Sequence, residues 1–157
     1  MDTRELYSAV HQLPIVNAMF GGVLAADQLP LQVTHRPKFY IVNTDPSHLP
    51  GDHWTAFYFP KDKLAEYFDS LGKKPPCGFQ EFLERNSDNG YMYNKKRLQG
   101  YKSNTCGQFC LFYATYRCEL KEDMNTVIEK FSDNLQENDD MVRRFVHGSF
   151  YQESHLK

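Results

Sequence analysis

The sequence lacks the features that mark several common classes of protein. Its four cysteines include no CxxC pair, and no paired CxxC and HxxxH spacing is present, so we expect no bound metal. No apolar run approaches the length needed to span a membrane, and neither an internal repeat nor a low-complexity segment is present. The sequence therefore predicts a globular protein with no membrane partner.

An excess of basic charge and a secretory leader are also missing. The net charge is -2 and the sequence pI is about 6.3, so no overall field attracts the chain to nucleic acid. The opening residues, MDTRELYSAV, have neither a basic n-region nor an apolar h-region, which predicts an intracellular protein with reduced thiols. The length of 157 residues and the absence of a clear boundary predict one domain over residues 1–157.

Aromatic residues are abundant, at 15% of the chain, and they predict a core built on rings. Hydrophobic patterns and turn residues predict strands at 39–43, 53–59 and 64–69, a further strand at about 91–98, and helices at about 3–11, 79–84, 106–119, 125–131 and 138–146. This order predicts an α+β fold, with helices packed on a small, mainly antiparallel sheet.

The most informative stretch is KSNTCGQFCLFYATYRCEL, residues 102–120. Ser103, Asn104 or Thr105 is suited to cap a helix that begins at Cys106, and the apolar run that follows predicts a buried helix. A cysteine in the first turn lies at the positive end of the helix dipole, which lowers the thiol pKa and favours the reactive thiolate. Taken alone, this stretch is more typical of a buried structural cysteine beside Cys110.

A predicted hairpin brings a histidine and an acid towards each other. The strands HWTAFYF and LAEYFD flank a four-residue turn, PKDK, so His53 faces Ser70, one position from Asp69. A small shift in register or a bulge would join the two side chains. The prediction fails if residues 64–68 form a helix.

Catalysis by a cysteine nucleophile needs a base, an acid that orients the base, and donors for the oxyanion. The candidates are Cys106 as nucleophile, His53 as base and Asp69 as orienting acid. Gln99 and the backbone N–H of Cys106 are the predicted oxyanion donors. Each side chain taken separately is more often structural, but four complementary roles at the ends of elements favour the catalytic interpretation.

Two glycines and a tryptophan are candidates for substrate binding. Gly21 and Gly22 mark a break in the chain, which forms either a simple turn or a backbone edge that lines a cleft. Trp54 follows the candidate base and is predicted to form another wall of that cleft.

Three runs, IVNTDPSHLPGDHWTAFYF, FDSLG and LQGYKSNTCGQFCLFY, resemble the adenovirus maturation protease (adenain) family over roughly residues 1–120. The order His, acid, Gln, Cys also occurs in the proteases of SUMO and other ubiquitin-like proteins. In papain-like enzymes Gln and Cys come first, so the resemblance implies a papain-like architecture in permuted order. Its matching residues are the base His53, the third member Asp69, the oxyanion glutamine Gln99 and the nucleophile Cys106.

The resemblance also implies a biological setting. Family members cleave viral precursor proteins, usually after glycine with a second small residue nearby, in particles assembling in the host nucleus. They are longer and basic, and a disulfide-linked viral peptide and DNA activate them. This chain has no cysteine between Arg85 and Gln99, where the family's peptide-linking cysteine lies, and only the cluster at residues 95–97 favours DNA.

The sequence therefore predicts a cysteine endopeptidase that acts on glycine-containing protein or peptide sites, in a virus or a virus-like element. It requires no cofactor, and an activating peptide or DNA is implied by the resemblance alone. Two alternatives stay open. An isopeptidase acting on a ubiquitin-like modifier would use the same four residues, and a catalytically silent assembly module would keep the fold with an unreactive Cys106.

Overall fold

A computed structural model describes residues 1–151 of the chain. Its helices and strands, in chain order, are α1 Thr3–Val10, α2 Pro14–Ala18, β1 Phe20–Leu24, β2 Lys38–Asn43, β3 Trp54–Phe59, β4 Ala65–Phe68, α3 Cys77–Arg85, β5 Tyr91–Tyr93, α4 Cys106–Ala114, α5 Met124–Ile128 and α6 Leu135–Val146. The predicted α+β class is confirmed. No helix within residues 1–151 is long and apolar enough to cross a membrane.

The five strands form one sheet in the order β1-β2-β3-β4-β5. The central pairings, β2 with β3 and β3 with β4, are antiparallel, whereas β1 and β5 add in parallel at the two edges. Side chains of successive residues point to opposite faces of the sheet, so alternate aromatic and aliphatic residues supply two separate cores.

Helix α4 covers one face of the sheet, and α3 covers the other. Eight of the nine residues of α4 are buried, as its uniformly apolar sequence predicts. The helix packs against β3, α1 and α6, and the ring of Tyr113 stacks on Phe68 with centroids 4.5 Å apart. On the opposite face, the rings of Phe79 and Phe82 in α3 meet Phe57 edge to face. The cysteine-bearing helix is therefore central and buried.

The hairpin forms as predicted, but its register differs by one residue. Ala56 pairs with Phe68, and Phe57 pairs with Tyr67. The connection is five residues long, 60–64, because β4 begins at Ala65. The prediction that His53 faces Ser70 in the ladder is therefore wrong, and His53 lies just before the first residue of β3.

Several predicted helix ends also need correction. The first helix ends at Val10, and Pro14 begins α2, a helix that was not predicted, because proline fits the first turn, where its missing N–H costs nothing. Asn125 lies inside α5, which Asp123 caps. Asn138 lies inside α6, which Asn134 caps. In both cases an acceptor earlier in the chain satisfies the exposed N–H groups.

The two remaining differences concern the fifth strand and the C-terminal tail. The strand predicted over 91–98 ends at Tyr93. The chain continues after α6 as a helical segment, His147–Tyr151, and the end of the predicted domain lies outside the described residues. The assignment of 1–157 to one protease domain stays a prediction.

Candidate active site

The predicted nucleophile, Cys106, is the first residue of α4 and is buried with a free thiol. Thr105 occupies the N-cap position, but its side chain makes no hydrogen bond to the helix N–H groups. The predicted side-chain cap is therefore wrong, and the first turn keeps its N–H groups for other acceptors. The start of this helix is a suitable place for negative charge on the sulfur.

The predicted base and acid meet at one end of the hairpin. His53 precedes β3 and Asp69 follows β4, so both leave the sheet at the same end. Nε2 of His53 lies 2.6 Å from Oδ1 of Asp69, and the two residues are only 8% and 3% exposed. A contact this short and buried fixes the orientation of the imidazole.

Asp69 is itself held from two directions. Its Oδ1 accepts the backbone N–H of Leu71 at 2.8 Å. Asn94 accepts the backbone N–H of Asp69 at 2.9 Å and donates to its carbonyl at 2.6 Å. Asn94 directly follows β5, and its side chain holds the backbone of Asp69 in place. Sequence reasoning missed Asn94, because a side chain that bonds to a distant backbone leaves no periodic signal.

The Cys106 thiol and the His53 imidazole are close enough for each to shift the pKa of the other. Because Nε2 of His53 faces Asp69, Nδ1 is the ring nitrogen left for the sulfur. Burial lowers the pKa of His53, but hydrogen bonds and negative charge from Asp69 and Cys106 outweigh it and raise the pKa to about 9. The imidazole therefore carries its proton at neutral pH.

The pKa of the Cys106 thiol shifts in the opposite direction. Burial raises its pKa, but the hydrogen bond and charge of His53 and a hydrogen bond from the backbone N–H of Trp54 outweigh it, and the pKa is below its ordinary value. The two shifts together favour a thiolate and imidazolium ion pair. Such a pair is the reactive form of a catalytic cysteine.

The remaining cysteines lie in different environments. Burial, followed by the negative charges of Cys106 and Asp69, raises the pKa of Cys110 well above its ordinary value. Burial also raises the pKa of Cys118 to about 12. Cys77 is exposed at the start of α3, with its sulfur 3.7 Å from Glu81. Cys106 is therefore the cysteine whose surroundings favour a thiolate.

The predicted oxyanion donor, Gln99, is buried in the loop that leads to α4. Its Oε1 accepts the hydroxyl of Ser70 at 2.6 Å, and its Nε2 donates to the carbonyl of Ser103 at 3.0 Å. These two bonds fix the amide and leave a second Nε2 hydrogen for another acceptor. Ser70 directly follows Asp69, so the oxyanion donor and the acid are tied to the same turn.

Of the predicted substrate-binding residues, Trp54 lines a surface groove, whereas Gly21 and Gly22 lie in the sheet. Trp54 lines a groove of about 390 Å³ between the end of β1 and the loop after β2, and its Nε1 donates to the Met1 carbonyl at 2.9 Å. Gly21 and Gly22 belong to β1, and the groove is lined by the residues that follow them. The predicted break is therefore a strand with an irregular register between Phe20 and Gly22.

No metal centre accompanies these residues in the described part of the chain. No group of three or more His, Cys, Asp or Glu side chains within residues 1–151 is arranged to hold an ion.

Comparison with solved structures shows which proteins share this fold. The ASFV pS273R protease matches with a TM-score of 0.63 at 18% identity, over 88% of this chain and 63% of that one. Its selenomethionine form matches with a TM-score of 0.50 at 24% identity, over 66% of this chain and 42% of that one. This chain therefore spans less than two thirds of the length of that protease.

Two other proteins are similar at lower identity. The central domain of the uncharacterized Lpg1148 protein from Legionella pneumophila matches with a TM-score of 0.55 at 13% identity, over 96% of this chain and 95% of that one. SUMO protease Ulp1, with its catalytic cysteine oxidised to a sulfinic acid, has a TM-score of 0.42 at 12% identity, over 91% of this chain and 77% of that one, which is too low to support an argument. No family model and no curated protein matches the sequence. The comparisons show that this fold is shared with a protease, and the adenain resemblance stays a prediction.

Proposed function

We propose that the chain is a cysteine endopeptidase. The observation that carries the proposal is the buried series formed by the Cys106 thiol, the His53 imidazole and the Asp69 carboxylate, in which Nε2 of His53 lies 2.6 Å from Asp69. The pKa of the thiol is lowered and that of the imidazole is raised, as nucleophilic catalysis requires. The similar fold of the ASFV pS273R protease supports the same reaction class.

In the proposed reaction, the Cys106 thiolate attacks the scissile carbonyl and forms a carbon–sulfur bond. The His53 imidazolium then gives its Nδ1 proton to the leaving amine, and the peptide bond breaks. The neutral imidazole next takes a proton from water, whose oxygen attacks the thioester. The acid product leaves, and the thiolate and imidazolium are restored.

The developing oxyanion needs donors that are already in place. In the proposal, these are the second Nε2 hydrogen of Gln99 and the backbone N–H of Cys106. The amide of Gln99 is fixed by Ser70 and Ser103, so it needs no reorganisation when charge develops.

We propose a protein substrate that lies in the groove beside Trp54, with glycine at the cleaved bond. The groove is bounded by the end of β1 and by the loop that includes Pro46 and Pro50. The glycine preference and the cleavage of viral precursor proteins follow from the resemblance stated above. The viral neighbour named among the similar structures supports that setting. The proposal requires no activating peptide and no DNA.

The proposal is tested with a fluorogenic peptide that ends in Gly-Gly-aminomethylcoumarin and with a library of glycine-containing peptides. We expect turnover by the native chain, loss of turnover in Cys106→Ala, and near-native turnover in the matched control Cys118→Ala. Turnover retained in Cys106→Ala would reject the assignment, as would a native chain that cleaves none of the peptides. Cleavage confined to a modifier joined to lysine would favour the isopeptidase.

A further inference from the structure

Asp139, in α6, is a buried carboxylate that the proposed reaction does not use. It is 2% exposed, and its partners all lie in the loop 100–105. Its two oxygens accept the backbone N–H of Gly100 at 3.3 and 3.2 Å. Its Oδ1 also accepts the hydroxyls of Ser103 at 3.1 Å and Thr105 at 2.7 Å.

A buried carboxylate is costly unless its surroundings compensate for lost hydration. Among the ion pairs of residues 1–151, none includes Asp139. Compensation therefore comes from hydrogen bonds of the loop, and the bond from Thr105, at 2.7 Å, has the short length typical of a charged acceptor. Bonds of this kind fix the donors as firmly as they stabilise the acceptor.

The three donors lie next to, or between, the candidate residues Gln99 and Cys106. Gly100 directly follows Gln99, and Thr105 directly precedes Cys106. Ser103 lies between them, and its carbonyl accepts the amide of Gln99. One carboxylate therefore holds both ends and the middle of the segment that separates the oxyanion donor from the nucleophile.

The packing at the loop shows how close this contact is. A Cβ atom added at Gly100 would lie 2.5 Å from Oδ2 of Asp139, so a side chain there would displace the carboxylate. At the other end, Thr105 occupies the N-cap position of α4 and turns its hydroxyl to Asp139 instead of the helix. Residues at both ends of the loop thus bond to Asp139.

We propose that Asp139 is a positioning residue that sets the geometry between the Gln99 amide and the Cys106 sulfur. The proposal rests on the proposed peptidase function. Loss of Asp139 should therefore lower kcat, because oxyanion stabilisation depends on that geometry. Alkylation of the thiolate by iodoacetamide forms no oxyanion, so it depends only on the sulfur and His53.

The test compares Asp139→Asn with Asp140→Asn, the same change at the neighbouring half-buried acid, which faces Gln136 and Arg143 and not the loop. The amide nitrogen of an asparagine at 139 would face a donor, either the Gly100 N–H or the hydroxyls. With the Gly-Gly-aminomethylcoumarin peptide, we expect kcat to fall by about 10- to 100-fold, part of the loss seen when an oxyanion donor is removed. We expect KM and the iodoacetamide rate at Cys106 to change by no more than about twofold, because neither depends on the oxyanion. Asp140→Asn should behave as the native chain.

Thr105→Val is the second variant, for the case that Asp139→Asn does not fold. It removes one donor with little change in shape, and we expect the same pattern with a smaller fall in kcat. An unchanged kcat in either folded variant would overturn the proposal, as would an alkylation rate that falls in parallel with kcat.

An inactive native chain would reject the peptidase function, and amide hydrogen exchange would then test Asp139 separately. Exchange at residues 100–105 that is faster in Asp139→Asn than in Asp140→Asn would support the positioning role. Equal exchange in the two variants would overturn it.

Discussion

Asp69 joins the reactive side chains to the rest of the fold. Its carboxylate contacts the His53 imidazole, and its backbone is bonded to Asn94. Its neighbour Ser70 orients Gln99. One turn after β4 therefore positions both the base and the predicted oxyanion donor, and the charge of Asp69 sets the protonation state of the base.

The variant Asp69→Asn tests that charge. Because Asp69 supports a His53 pKa of about 9, the imidazolium of the native site persists until the pH rises through about 9. Without the charge, His53 should lose its proton at a lower pH. We expect the alkaline limb of the kcat/KM profile, which reports the free site, to move down towards the ordinary histidine value, and kcat/KM at pH 8 to fall by about tenfold or more.

The measurement is kcat/KM against pH for the native chain, Asp69→Asn and the exposed control Asp52→Asn. The control should keep the native alkaline limb. If Asp69→Asn also kept it, the carboxylate would not govern the protonation of His53.

At single positions, the sequence singles out residue types that a reaction demands. His53 and Asp69 were expected to approach each other at the ends of predicted strands, and their side chains are in contact. The catalytic roles of His53, Asp69, Gln99 and Cys106 stay predictions. Supporting side chains are different, because serine, asparagine and aspartate have many structural uses. The sequence positions of Asn94 and Asp139 do not predict that their side chains bond to residues far away in the chain.

The positions of the helices and strands depend on close backbone packing as well as on the hydrophobic pattern. Strand β1 lies against β2 with Gly21 directly beneath the ring of Tyr40. That ring is buried and contacts Phe59 and Phe82 edge to face, so it has little freedom to move. Gly21 is required by this contact, which explains a glycine pair that sequence reasoning assigned to a turn or a cleft.

The change Gly21→Ala should therefore destabilise the fold. Its Cβ would lie 2.1 Å from Cε1 of Tyr40, and overpacking of this kind costs about 1–3 kcal/mol. The control is Gly78→Ala in α3, where a Cβ has no neighbour within 4 Å and alanine should stabilise the helix by about 0.5–1 kcal/mol.

Urea unfolding of the two variants measures these free energies. A Gly21→Ala variant as stable as the native chain would contradict the close packing of β1 on Tyr40.

Strong hydrophobic patterns predicted the helices and strands themselves. The exact starts of helices and the register of the hairpin were not predicted, because several neighbouring polar residues suit those positions. Helix α4 and the hairpin follow from long apolar runs and a charged turn. The hairpin register shifted because the connection uses five residues, and the pattern of LAEYF does not fix where pairing begins. Helices α5 and α6 begin earlier than predicted because Asp123 and Asn134, which precede the predicted starts, cap them.

The molecule as a whole is mildly acidic, and residues of its basic cluster at 95–97 make local contacts. Within residues 95–97, Lys96 pairs with Asp133 at 3.1 Å, and Arg97 lies 3.8 Å from the ring centre of Tyr101. With a net charge of -2, the chain has no broad surface field to attract phosphates.

We therefore expect duplex DNA to leave kcat and KM for the peptide substrate unchanged within about twofold, since DNA affinity depends on phosphate contacts. The measurement is turnover at low and moderate salt, with and without DNA. Stimulation by DNA that disappears as the salt concentration rises would contradict this prediction and would place an activator surface on the chain.

The central claim is an activated Cys106 thiolate paired with His53, and selective alkylation tests it most directly. The native chain, His53→Ala and the exposed control His48→Ala are each treated with a low dose of iodoacetamide near neutral pH. Mass spectrometry then identifies the modified cysteines.

We predict that Cys106 reacts faster than the exposed Cys77, because its thiol pKa is lowered. The preference should fall by about tenfold or more in His53→Ala, which removes the paired charge, and should persist in His48→Ala. Faster labelling of Cys77 in the native chain, or a Cys106 rate that does not depend on His53, would contradict the claim.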